Sequence, residues 1–404
     1  MEEKKISKFT TFTVLSLAFV WTFEGSTMAP ALGEIDKAFP GASVLQLQNI
    51  IVIPFLTAFI FSIISGKLAK YIDKKTIAIV GLAIYGSMGI LPVIAASVNQ
   101  ILLLRLIIGV GAGLILPLAN AYIAELYSEE RRGRFLGAAS SISQLSNFVM
   151  SLIVGAILFL GWKAPFYTYL ILFVMMACVI LSIPKTHTSA HDNYILKNYS
   201  AKKQRLTLRH YWYTLLMFML WVLGPFITTN LALWMTAEKI GEPWMIGVII
   251  SVCAAGAAIA GFIWTYMQKV FKRYFAAFAL VVFASGFLVF YYADSPLLIT
   301  FGVLFIGLGQ GMLTPHVFDL TAQHSTSIVQ KDMAFGLVSS ALTFGSVATP
   351  VFQQFLILLN PNAASPFRYK FLCAAMILYS GALISVFMHG KKTQISCEEY
   401  LKSS

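Results

Sequence analysis

The chain has 404 residues, of which 58% are apolar and only 11% charged, with a mean hydropathy of +0.78. Soluble domains carry about 25% charged residues, so a water-soluble globule is excluded. The net charge of +12 collects in alternate short connections between apolar runs, which is how membrane orientation is written and gives no reason to expect a nucleic-acid partner.

About twelve runs of roughly 20 apolar residues follow one another, each able to cross a ~30 Å hydrocarbon core as a helix. They are expected at 9–33, 44–66, 77–97, 101–123, 135–160, 165–184, 211–235, 244–267, 274–292, 297–322, 333–358 and 367–389. The runs lack the alternation of barrel strands, so the fold class is all-α membrane protein. Lysine and arginine crowd the alternate connections (Lys67 to Lys75, Arg131 to Arg134, Lys269 to Arg273), while the opposite ones hold few, such as Lys37, Lys163 and Lys370. Both termini are therefore expected on the cytoplasmic side. Lys4, Lys5 and Lys8 before an apolar run mimic a signal peptide, but the run is long enough to cross uncut.

The first run carries Glu24 in VWTFEGSTMAPAL, ten residues before Glu34 and so ~15 Å below the outer end. A carboxylate at that depth by default marks function, here a proton carrier, with Trp21 beside it as an aromatic wall. The second run ends in Gly66-Lys67-Leu68-Ala69-Lys70, with Asp73 opening the third.

The fourth run combines Arg105, glycines at 109, 111 and 113, Pro117 and Asn120, then meets Glu-Glu-Arg131-Arg-Gly-Arg. Gly109-x-x-x-Gly113 permits close helix contact. The same pattern returns 198 positions downstream at Gly307, Gly309, Gly311 and Pro315, although Val303 stands where Arg105 would fall. Gly137, Ser140 and Ser141 return at Gly336, Ser339 and Ser340, offset 199. A nearly constant offset across blocks reads as a duplicated half-chain.

The fifth run places Ser140, Gln144, Asn147 and Ser151 on one helical stripe, and the eleventh answers with Ser339, Thr343, Ser346 and Gln353. Two such stripes at equivalent places point to a wet hollow between the halves. The seventh run should kink at Gly224-Pro225, and its Trp221 and Asn230 are candidates to meet a substrate. Trp212 and Trp234 suit the interfacial belts. In the tenth, Gln310 and Thr314 fall on the face equivalent to Arg105, while His316 and Asp319 stand three apart, a candidate proton relay or a structural pair. Nothing matches a nucleotide-binding loop, a cysteine framework or a metal spacing, so no cofactor is expected and energy must come from a gradient.

The loop Gly66-x-Leu68-Ala69 with Asp73, Arg105 followed by Gly109-x-Gly111-x-Gly113, and the Glu129–Gly133 cluster together resemble the major facilitator superfamily. That resemblance implies two six-helix bundles, 1–184 and 211–390, joined by a cytoplasmic linker at 185–210 and followed by a tail at 391–404. It implies alternating access around a midplane site, and gating by Gly66, Lys70, Asp73 and Arg131. It is similar most to the twelve-helix drug:proton antiporters, whose acidic residue in helix 1 works with an arginine in helix 4, here Glu24 and Arg105. Lys70 and Asp73 stand where the family places an Asp and a Gly, and the antiporter signature of helix 5 keeps only Gly155. The expected function is proton-coupled export of lipophilic or cationic small molecules by a monomer in the cell membrane. Uptake of a neutral polar solute such as a sugar, or a non-transporting receptor on the same fold, are the alternatives.

Overall fold

A computed structural model describes residues 7–69, 71–127, 129–183, 206–325 and 328–403. Among these the chain is helical and contains no strand, as an apolar medium requires: each backbone N–H and C=O must be satisfied within its own segment. The helices are α1 Lys8–Ser16, α2 Val20–Met28, α3 Leu32–Ala38, α4 Val44–Leu68, α5 Lys74–Ile90, α6 Val98–Leu126, α7 Glu129–Ile157, α8 Ala164–Tyr167 and α9 Ile171–Ser182. They continue with α10 Leu208–Leu223, α11 Phe226–Ala237, α12 Pro243–Phe271, α13 Phe275–Tyr292, α14 Pro296–Gln323, α15 Ile328–Leu359 and α16 Pro366–Ser403.

Among the described residues, ten stretches are long and apolar enough to span a membrane. The other two expected spans are present in altered form. The first is broken into α1, a 3-10 turn at Leu17–Phe19, α2 and α3. The fifth is α7, which starts at Glu129 and whose apolar stretch among the described residues is Leu145–Leu160. The Glu129–Arg134 cluster, expected as a loop, is thus the first turns of a helix. The expected tail is likewise continuous with the last span as one helix, Pro366–Ser403.

Contacts between helix ends define two faces. Thr10 donates to Ser182 O at 3.0 Å and Lys75 Nζ to Ile180 O at 2.7 Å, gathering the start of α1, the start of α5 and the end of α9 on what we term the terminal face. On the opposite face Gln46 Nε2 donates to Asn99 Oδ1 at 2.9 Å, joining the starts of α4 and α6.

The duplicated glycines explain the packing of both halves. A Cβ on Gly109 or Gly113 would run into the α4 backbone at Pro54 and Ala58, and one on Gly111 would meet Gly81 and Tyr85 of α5. In the second half Gly307 and Gly311 press on α12 at Cys253 and Ala257, while Gly309 presses on Phe283 of α13. Alternate glycines fall on nearly opposite sides of a helix, so each triplet lets one helix lie tightly between two others. Thr57 Oγ1 donates to Leu106 O at 2.9 Å and Ser65 Oγ to Leu114 O at 2.7 Å, fastening α4 to α6.

The seventh span breaks where expected, between α10 and α11 at Gly224-Pro225. Pro225 has no N–H for the carbonyl four residues back, Trp221. Thr349 Oγ1 of α15 covers that bend, donating to Val222 O at 2.9 Å with Trp221 O at 3.4 Å. Trp212 is exposed, as a belt residue should be, but Trp234 is fully buried between Phe290 and Phe371. Its place in an interfacial belt is therefore overturned: α11 is flanked by other helices at that level.

Candidate functional site

Arg105 is fully buried within the first half. Its Nη1 donates to Tyr169 Oη at 2.7 Å, and its guanidinium carbon lies 5.4 Å from the Tyr169 ring and 5.6 Å from that of Phe166. Phe23 meets the Tyr169 ring edge-on at 4.8 Å, with Tyr85 at 5.8 Å from the same ring. A guanidinium is more weakly hydrated than an ammonium and stacks on aromatic faces, so this box suits arginine and would not suit lysine. Phe23 immediately precedes Glu24, which brings that turn of α2 to the Arg105 box. Tyr169 and Tyr85 went unrecognised because both lie in runs that are otherwise almost wholly apolar; a hydroxyl within an apolar helix was the available signal.

Among the described residues the two halves meet chiefly along two antiparallel crossings, α4 with α15 and α7 with α12, with α11 also touching α3 and α4. At the first, Phe59 and Phe344 stand edge to face at 5.1 Å. At the second, Gly155 and Gly247 lie backbone to backbone, with Ser151 O against Gly247. Nearer the opposite face, Gln48 Nε2 of the first half donates to Asn230 Oδ1 at 2.8 Å and to Gln353 Oε1 at 2.6 Å. Lys370 Nζ donates to the same Asn230 oxygen at 2.7 Å. Gln48 is 2% exposed, Asn230 0%, Gln353 1% and Lys370 1%. The halves are thus shut on the opposite face by a dry polar node.

Asn147 and Thr343 lie on α7 and α15, which form this seam, and Trp221 and Gln310 on α10 and α14; all four are half-buried. Thr343 Oγ1 is turned back on Ser339 O at 3.3 Å, and the Gln310 amide lies against Gly224 at the α10–α11 break. Both polar stripes reach the seam, through Ser151 and Gln353. Lys370, read from sequence as a residue of an external connection, lies inside α16 and is buried.

The model of the Major Facilitator Superfamily matches residues 10–328. The chain belongs to that superfamily. Among curated relatives, the Bacillus subtilis multidrug transporter protein MdtP is 26% identical over 150 residues, 37% of this chain and 27% of its own length. The Escherichia coli inner membrane transport protein YajR is 25% identical over 288 residues, 69% of this chain and 60% of its own. The chain thus spans about a quarter of MdtP and somewhat over half of YajR. The crystal structure of a D-xylose-proton symporter superposes with a TM-score of 0.68 at 14% identity, covering 92% of this chain and 97% of that one. The protein is a multi-pass membrane protein of this superfamily.

The remaining facilitator-type residues are spread over the terminal face. Gly66 occupies the last turn of α4 with open space around it, and Asp73 caps α5, accepting from Lys75 N at 3.4 Å. In the second half Asp319 accepts from Gln268 Nε2 of α12 at 3.0 Å and from Gln323 Nε2 at 2.8 Å. His316 lies edge-on to the ring of Phe275 at 4.9 Å. Asp319 therefore serves contact with a neighbouring helix, away from the Arg105 box. The side chains of Trp21, Glu24, Asn120, Gln144 and Arg131, and all of Lys70, lie outside the described residues.

Proposed function

We propose that this transporter exports lipophilic or cationic small molecules in exchange for protons, by alternating access between its two halves. The observation that carries the proposal is the buried guanidinium of Arg105, a permanent cation whose aromatic box is shared with the residue preceding Glu24. A carboxylate on that turn of α2 has a fixed positive charge within its own half to answer to, so its protonation changes the balance of charge inside the bundle. Glu24 is the proton carrier on this reading, and Arg105 its electrostatic partner. The residues proposed to meet substrate are Trp21, Asn120, Gln144, Asn147, Trp221, Gln310 and Thr343, and at the seam Phe59 and Phe344 add aromatic surface for a lipophilic cation. The relatives named as multidrug transporters support this direction. We place the terminal face in the cytoplasm and the carrier in the cell membrane as a monomer.

One observation favours a second reading. Asn147 and Thr343 on the seam helices and Gln310 on α14 are half-buried, and their amides and hydroxyl suit uptake of a neutral polar solute. Counterflow in proteoliposomes with and without a pH gradient separates the two. Under the first reading Glu24→Gln abolishes pH-driven flux of lipophilic cations but leaves their energy-independent exchange. Intact pH-driven flux in that variant rejects the proton assignment, and binding without flux of any tested compound favours a receptor.

A further inference from the structure

The opposite-face node can be counted donor by donor. Gln48 Nε2 has two hydrogens, and both are used, on Asn230 Oδ1 and Gln353 Oε1. Asn230 Nδ2 donates to Gln353 Oε1 at 2.9 Å and to Phe226 O at 2.7 Å, and Gln353 Nε2 donates to Thr229 Oγ1 at 3.1 Å. Each amide oxygen at the centre thereby accepts two bonds, one of them from Gln48. Among the described residues this is the side chain by which the first half bonds to the node, and when the halves part both bonds are lost together.

Lys370 differs in kind. Among the described residues its ammonium meets one oxygen, Asn230 Oδ1, and the ring of Phe367 at 4.5 Å, with no carboxylate in salt-bridge range. The carboxylates on the same rim, Glu238 and Asp294, are both held by Arg368, at 2.7 Å each. Taking an ammonium out of water without a counter-ion is costly, and an amide oxygen offsets only part of that cost. Opening this face would return the ammonium to water and remove the penalty.

We propose that Gln48 and Lys370 form a latch with opposed parts: Gln48 holds the opposite face shut, and the buried charge of Lys370 keeps the shut state shallow enough to reopen. The inference rests on the halves alternating as a transporter's do. Its readout is conformational and independent of substrate.

Spin labels at Val44 and Leu359, exposed at the opposite-face ends of α4 and α15, report the separation by electron–electron double resonance in nanodiscs. The native cysteines are replaced beforehand. Gln48→Met removes two hydrogen bonds at nearly constant volume and is expected to raise the long-distance population by about tenfold. Lys370→Met removes the charge and is expected to lower that population several-fold. If Lys370→Met opens the face as Gln48→Met does, the lysine is a clasp and the opposed roles are wrong. If two populations exist and Gln48→Met leaves them unmoved, the latch fails while alternation stands. A single unchanging population in every variant overturns alternation itself. Where purification fails, Leu356→Cys, buried one turn beyond Gln353, gives the same answer in intact cells. Its labelling by a membrane-impermeant maleimide should speed up with Gln48→Met and slow down with Lys370→Met, and no change rejects the latch.

Discussion

The two halves share a scaffold but not a chemistry. Ser97 caps α6 and Ser295, 198 positions later, caps α14; the glycine triplets that follow press on equivalent neighbours in each half. Where α6 carries the buried Arg105, however, α14 carries Val303, also fully buried. The second half places its buried cation, Lys370, on its last helix, against an amide at the seam. Duplication thus preserved what close packing needs, since a misplaced methyl group is penalised equally in either copy. It left charge free to diverge, because a charge inside a bundle is worth keeping only where it has work to do.

The largest effect should come from erasing that asymmetry. Arg105→Val makes the first half match the second at this position. It removes the cation from a fully buried box, and pH-driven flux in proteoliposomes should fall by at least ~100-fold, corresponding to ~3 kcal/mol. Tyr169→Phe, which deletes one charge-assisted hydrogen bond and keeps the ring, should lie between this variant and the native protein. Flux within a few-fold of native in Arg105→Val would mean that the arginine is a packing residue and that the halves do not differ in function at this site.

A smaller effect tests the shared part. Gly109→Ala and Gly307→Ala each gain up to ~1 kcal/mol of helix propensity, yet in both the new methyl overlaps backbone, at Pro54 and at Cys253 respectively. Overpacking by one carbon against backbone costs about 1–3 kcal/mol, so both variants should melt earlier in detergent, and by similar amounts. A loss confined to one of them would show that the glycine repeat is a relic in the other half.

How much of this was legible follows the same division. The glycine triplets, the break at Pro225 and the runs themselves were readable because they depend on residues within one or two turns of each other. The start of α7 was not: charged residues read as a loop because lysine and arginine mark membrane borders, but a helix continues into water at little penalty, and Glu129–Arg134 do so. Lys370 was misread for a related reason. A lysine four residues into an apolar run sits where snorkelling is the ordinary outcome, and its burial depends on Asn230, 140 positions away in sequence. Gln353 appeared as one member of a polar stripe, while its partner Gln48, 305 positions distant, lay in a run that showed no stripe. Tertiary partners at such separations leave no local pattern, so the site was visible in outline and its lock was not.

The smallest predicted effect concerns the rim of the second half, where Arg368 joins Glu238 and Asp294. Burial alone would raise the Glu238 carboxyl, but hydrogen bonds from Arg368 and Ser365 outweigh it and hold the group below the usual 4.5. A carboxyl so depressed stabilises the fold above its unfolded value and loses that contribution as pH falls through its folded value. The clasp should therefore be intact at neutral pH and weaken only below about pH 4.5, the ordinary value that its folded form undercuts. Because the pair is partly solvated, Glu238→Gln should cost no more than ~1 kcal/mol at neutral pH and should flatten the acid limb of a melting-temperature profile. Among the described residues the first half shows no such clasp at the matching rim: there Lys37 pairs with Glu34 on its own helix. Glu34→Gln should accordingly leave the acid limb unchanged, and an equal flattening in both variants would remove this last difference between the halves.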